Sequence, residues 1–139
     1  MLGRLDAEAL SRRPQLPEVI NQLPLTHKRM VQAKQTKSDA RQLVVRARNQ
    51  EMRNQQEAVA TYREALVLLL RLDAGELSRT PLLPEVVNRL SLTLERMGDA
   101  AAAISVIDEN MDRIRSMQAG AKATRDAIEK RRTRLLRGA

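Results

Sequence analysis

From Leu83 the chain places apolar or small residues at alternating steps of three and four: Val86, Leu90, Thr93, Met97, Ala100, Ile104, Ile107, Met111 and Ile114. That spacing marks one face of a helix and, sustained over several heptads, predicts a coiled-coil-like seam. A second stripe lies upstream at Met52, Val59, Tyr62, Leu66 and Leu69, while the positions that would extend it backwards, such as Ser38, Arg41 and Arg48, are polar. Residues 65–70, Ala-Leu-Val-Leu-Leu-Leu, are apolar on every side of a helix. Six residues are far too few to cross a bilayer, so this run is expected to be covered from two directions by other elements.

The helix breakers are as informative as the stripes. Residues 25–72 contain neither Gly nor Pro, and after Glu85 the only breakers are Gly98, Gly120 and Gly138. A helix of 48 residues would extend ~70 Å, the length of a rod rather than of an average globular helix. Two punctuated segments frame these rods, and they are near copies. Residues 4–30 recur as residues 71–97 at a constant offset of 67, with 18 of 27 positions identical.

Each copy reads as a helix end, a turn and a helix start. In the second, Leu72, Asp73, Ala74 and Gly75 close one run, and Ser78, Thr80, Pro81 and Pro84 punctuate the chain before Glu85 opens the next. In the first, Pro14 and Pro17 repeat the signal, and Pro24 stands where the second copy has Ser91 and is expected to kink its helix. The fold expected is all-α: a short helix, then a long antiparallel helical hairpin of coiled-coil-like character, with an internally duplicated helix-turn-helix segment. Residues 1–139 are expected to form a single elongated domain ending in a basic tail, residues 130–139.

Composition supports a narrow seam over a thick core. The chain has one Tyr and no Phe, Trp or Cys, and 42% of its residues are apolar. Aromatic side chains dominate the burial of most compact cores, so a chain this poor in them is expected to lean on partners. The seam offered to another protein chain is Met52, Val59, Tyr62, Leu66, Leu69, Leu90, Met97, Ile104, Ile107, Met111 and Ile114.

The net charge of +8 is unevenly spread. Residues 28–53 hold eight basic side chains against two acidic ones, and residues 130–137 hold five with no acid. Such zones suit an acidic partner surface or phosphate, with Arg41, Arg46, Arg48, Arg53, Lys130, Arg131, Arg132, Arg134 and Arg137 as the contacts. No aromatic platform for unstacked bases is present, so any RNA contact would be non-specific. An exposed solvated face is the plainer reading of the same residues.

Enzyme chemistry finds little purchase. His27 is the one histidine, and its counterpart in the second copy is Leu94, so it reads as a partly exposed helical residue and not as a general base. Asp108, Glu109 and Asp112 cluster, but Arg113 and Arg115 stand beside them, as on a salt-bridged helix surface. The expectation is a non-catalytic structural or interaction subunit without cofactor, metal or small-molecule substrate. It would dock into a larger assembly of other protein chains, with self-association as a variant, and the alternative is a ribosomal or ribonucleoprotein subunit.

Arg4, Arg12 and Arg13 give residues 1–13 the look of a mitochondrial presequence, yet Asp6, Glu8 and the reuse of this stretch at Arg71 argue for retained, folded sequence. The location expected is intracellular, cytoplasmic or organellar with the mitochondrial matrix included, not secreted, and without a membrane span.

Overall fold

In the computed structural model, which describes residues 25–117 and 122–138, every regular element is a helix. Among the described residues these are α1 (Leu25–Gln50), α2 (Gln55–Leu69), α3 (Ala74–Ser78), α4 (Leu82–Arg96), α5 (Ala100–Arg115) and α6 (Lys122–Gly138). The chain divides into two compact units, Met1–Lys34 and Gln35–Ala139. Of the first, only the opening turns of α1 are described. The first copy of the repeat, the turn expected at residues 11–17, the Pro24 kink and the presequence-like stretch therefore lie outside the described residues, apart from 25–30.

The expected rods are interrupted. Residues 51–54 divide the first into α1 and α2, and residues 97–99 divide the second into α4 and α5. Neither Gly nor Pro makes the first break. Asn54, in extended backbone (φ −153°, ψ 99°), accepts a hydrogen bond from the Glu57 amide on its side-chain oxygen at 3.3 Å. This is the N-cap arrangement that gives an orphan helix donor a partner, with an acidic residue three positions on. Asp73 repeats it for α3 by accepting from the Glu76 amide at 2.8 Å. The turn read between Leu72 and Glu85 accordingly contains a short helix.

The second break is a Schellman turn. Gly98 has φ +84°, the Gly98 amide donates to the Glu95 carbonyl and the Asp99 amide to the Leu94 carbonyl, both at 2.9 Å. Asp99 then caps α5 by accepting from the Ala102 amide at 3.1 Å. One glycine thus folds α5 back against α4.

α4 is the central element of the unit 35–139. It packs on α2, α5 and α6, and α5 packs on α6. Leu83, Val86, Val87 and Leu90 are fully enclosed, and of its fifteen residues only Arg96 is exposed. α2 contributes Ala58, Tyr62, Ala65 and Leu69 to the same core, α5 contributes Ile107, Met111 and Ile114, and α6 contributes Ile128 and Leu135. Each such Leu, Ile or Val stabilises the fold by ~1.5–3 kcal/mol relative to an exposed position.

α1 enters with small residues. Ala40, Val44 and Ala47 face the core, a register different from the Ser38, Arg41 and Arg48 row obtained by stepping back from Met52. The apolar run 65–70 is not enclosed: Val67 is 55% exposed and Leu70 39%. No helix among the described residues is long and apolar enough to cross a membrane.

Gly98→Ala should destabilise the chain by about 1–2 kcal/mol, because a Cβ is strained at positive φ even in open space. Gly75→Ala should be neutral or mildly stabilising, since its added Cβ would meet only Asp73 Oδ1 at an ordinary 3.5 Å. Urea denaturation of the two variants checks the pair. Equal effects would contradict the Schellman assignment.

Candidate functional site

Burying α4 on nearly all sides forces its polar side chains to find partners on neighbouring helices. Two networks result. At the elbow between α1 and α2, the Glu51 side chain is only 6% exposed, and Arg89 Nη2 of α4 donates to its Oε1 at 3.1 Å. Arg96 lies 3.9 Å from the same oxygen. The hydroxyl of Tyr62, the chain's one aromatic residue, donates to Glu51 Oε2. Beside it, Thr61 Oγ1 donates to Gln50 Oε1 at 2.6 Å. Desolvation of the buried ring, reinforced by the neighbouring carboxylate, pushes the Tyr62 hydroxyl well above its ordinary pKa.

The second network joins α6 to α4. Arg131 is 9% exposed, and its Nη1 donates to Asn88 Oδ1 at 2.7 Å and to Ser91 Oγ at 3.1 Å. Its Nε stands 3.4 Å from Glu95 Oε1, and Arg134 reaches the other Glu95 oxygen at 2.5 Å. Burial pulls the Arg131 pKa down, and Glu95 opposes that shift. An arginine remains charged throughout the working range, so this is a buried ion pair that must stay matched.

The sequence-derived site residues fall into three groups. Tyr62, Leu69, Leu90, Ile107, Met111 and Ile114 are buried in the chain's own core, and Val59, Leu66 and Ile104 pack partly buried against it. These positions, expected to meet another chain, are occupied by this one. Met52 and Met97 are the exceptions, 90% and 37% exposed.

The C-terminal basic zone is a packed helix and not an outward-reaching tail. Arg131 is buried, Arg132 lies 2.5 Å from Asp108, and Arg134 holds Glu95, which leaves Lys130 and Arg137 exposed without a carboxylate partner among the described residues. On α1 and the elbow the opposite holds. Arg41, Arg46 and Arg53 are exposed with no carboxylate partner among the described residues, and Arg48 has only a loose 3.6 Å contact to Glu85.

The elbow and the Schellman turn meet in one surface depression lined by Glu51, Met52, Arg53, Asn54, Arg96 and Met97, among others. Three sequence candidates, Met52, Arg53 and Met97, come together there, although they are far apart in the chain. Arg96 and Glu51 were missed as its members; the signal that could have found the place was the Asn54-Gln55-Gln56-Glu57 cap, which puts an elbow beside Met52. Asp108, Glu109 and Asp112 stay exposed on α5, His27 is exposed on α1, and no group of three potential metal ligands forms among the described residues. Comparison with protein families, with curated proteins and with solved structures finds no match.

Because the chain has a single tyrosine, its phenolate absorbance near 295 nm reports one residue. A hydroxyl whose pKa is raised by folding contributes stability below its unfolded value of about 10, and that stability is lost as pH rises through the folded value. Native chain should therefore show no phenolate at a pH where urea-unfolded chain is half ionised. Coincident titrations would refute the buried pairing.

Arg89→Ala, which leaves Glu51 desolvated with only a distant guanidinium, should cost about 2–3 kcal/mol. Arg48→Ala, at an exposed loose pair, should cost under about 0.5 kcal/mol by the same denaturation assay.

Proposed function

We propose that this chain is a non-catalytic interaction subunit that docks onto another protein through the elbow depression. The observation that carries this reading is the grouping of two exposed methionines, Met52 and Met97, with two guanidiniums, Arg53 and Arg96, over a rigidly held carboxylate. Methionine offers an adaptable apolar surface and arginine a planar donor fork, and both are enriched in protein interfaces. Their chemistry suits a partner segment carrying an apolar side chain flanked by carboxylates. The coiled-coil-like hairpin supplies the frame in this reading: α4 and α5 hold the Schellman turn, and α1 and α2 hold the elbow, so the contact rests on packed helices at both sides.

A ribonucleoprotein role is the second reading, favoured by the exposed Arg41, Arg46 and Arg53 along α1 and the elbow. Phosphate contacts made by such a row would be non-specific and strongly salt-dependent.

The test is affinity capture with tagged full-length chain, wild type against Met52→Asp combined with Arg53→Glu, before and after nuclease treatment. The variant should melt like wild type, because both side chains are exposed, and should hold its co-purifying protein at least about tenfold more weakly, as loss of a central anchor does. A protein retained equally by wild type and variant would refute the elbow as the docking site. Loss of every captured species on nuclease treatment would replace the protein-docking reading with the RNA one.

A further inference from the structure

The two copies of the repeat differ in an unusual place. Nine positions separate residues 71–97 from residues 4–30. Thr80, Leu82, Val87, Ser91 and Leu94, five of the differing positions, are buried in the unit. Glu76, Arg89 and Glu95, three more, are the ends of cross-helix ion pairs with Lys37, Glu51, Arg131 and Arg134. Only Gly75 is exposed and unpaired. Exposed residues such as Arg71, Arg79, Arg96 and Met97 are identical to their counterparts Arg4, Arg12, Arg29 and Met30.

Exchange is cheapest at exposed positions, where most substitutions are nearly neutral. Two stretches serving the same surroundings would differ there first. Here eight of the nine exchanges fall at buried or ion-paired positions and only one at an exposed one, so the second copy is fitted to contacts that the first copy's residues would not reproduce.

The replacements have a definite chemical sense. Leu16, Val19 and Leu23 repeat the apolar face of Leu83, Val86 and Leu90, whereas the buried Leu82 and Leu94 correspond to the polar Gln15 and His27. Opposite Arg131 the copies part as well. Ser91, whose hydroxyl accepts from Arg131 at 3.1 Å, corresponds to Pro24. Glu95, held by both Arg131 and Arg134, corresponds to Lys28. A lysine there would face two guanidiniums, one of them buried, where like charges are poorly screened. Gln22 in place of Arg89 would likewise leave Glu51 without its closest cation.

We propose that Glu95, read by Arg131 and Arg134 of α6, is a charge-based specificity determinant that favours residues 71–97 over residues 4–30 as the central helix of this unit. The Glu95 ion pair adds a charge-based discrimination to the apolar one made at Leu82 and Leu94. This inference does not rest on the docking role proposed for the elbow.

The test is a double-mutant cycle in the full chain. Glu95→Lys installs the first copy's residue, and it is measured in wild type and in a background carrying Arg131→Met with Arg134→Gln, which keeps volume and helix propensity while removing the reader's charge. In wild type the substitution should lower Tm by more than about 10 °C. In the neutral background it should lower Tm by less than about 3 °C relative to that background. If Glu95→Lys leaves the wild-type chain unfolded, Glu95→Gln is read in the same two backgrounds, with a smaller loss expected in the same ratio. Equal losses in both backgrounds would overturn the proposal, because the rejection of lysine would then owe nothing to α6.

Discussion

The enclosure of α4 is the constraint on which the unit depends. A helix with one exposed residue out of fifteen leaves its polar side chains at most partly in solvent, so Asn88, Arg89, Ser91 and Glu95 are answered by other elements. The answers come from opposite sides: Glu51 at the α1–α2 elbow takes Arg89, and Arg131 of α6 takes Asn88, Ser91 and Glu95. Apolar burial gathers the helices around α4. The charged pairs fix which residues of those helices stand opposite it.

The core is built from Ala, Val, Leu and Ile instead of large rings, and α1 adds Ala40, Val44 and Ala47 to it. The one aromatic residue, Tyr62, is fully enclosed and uses its hydroxyl to tie the elbow carboxylate. Ring and carboxylate thus stiffen the place where a long helix would otherwise have continued, and the exposed Met52 and Arg53 sit on that stiffened elbow.

Much of the basic charge serves the fold. Arg131, Arg132 and Arg134 are engaged by Asn88, Asp108 and Glu95, whereas Arg41, Arg46 and Arg53 face solvent without a carboxylate among the described residues. Two zones of similar composition therefore differ in what they offer to a partner, because one packs beside Glu95 and Asp108 and the other forms an outer face.

The sequence alone determined the helical class, the turn between Leu72 and Glu85 and most of the buried positions, including Leu69, Leu90, Ile107 and Met111, whereas the breaks at residues 51–54 and 97–99 fall inside the two rods it predicted. Helix periodicity and backbone freedom are local properties, so they can be read along the chain. The first break was legible, in Asn54 and Glu57, to a reading that counts caps as well as Gly and Pro. What only the tertiary structure decided was who answers whom. Whether a seam faces another chain or its own neighbour, and whether an arginine is free or held by a glutamate 38 residues away, as Arg89 is by Glu51, depends on contacts between helices. Spacing along one helix gives the face a residue occupies, but the charge or surface opposite that face is set by the packing of the others.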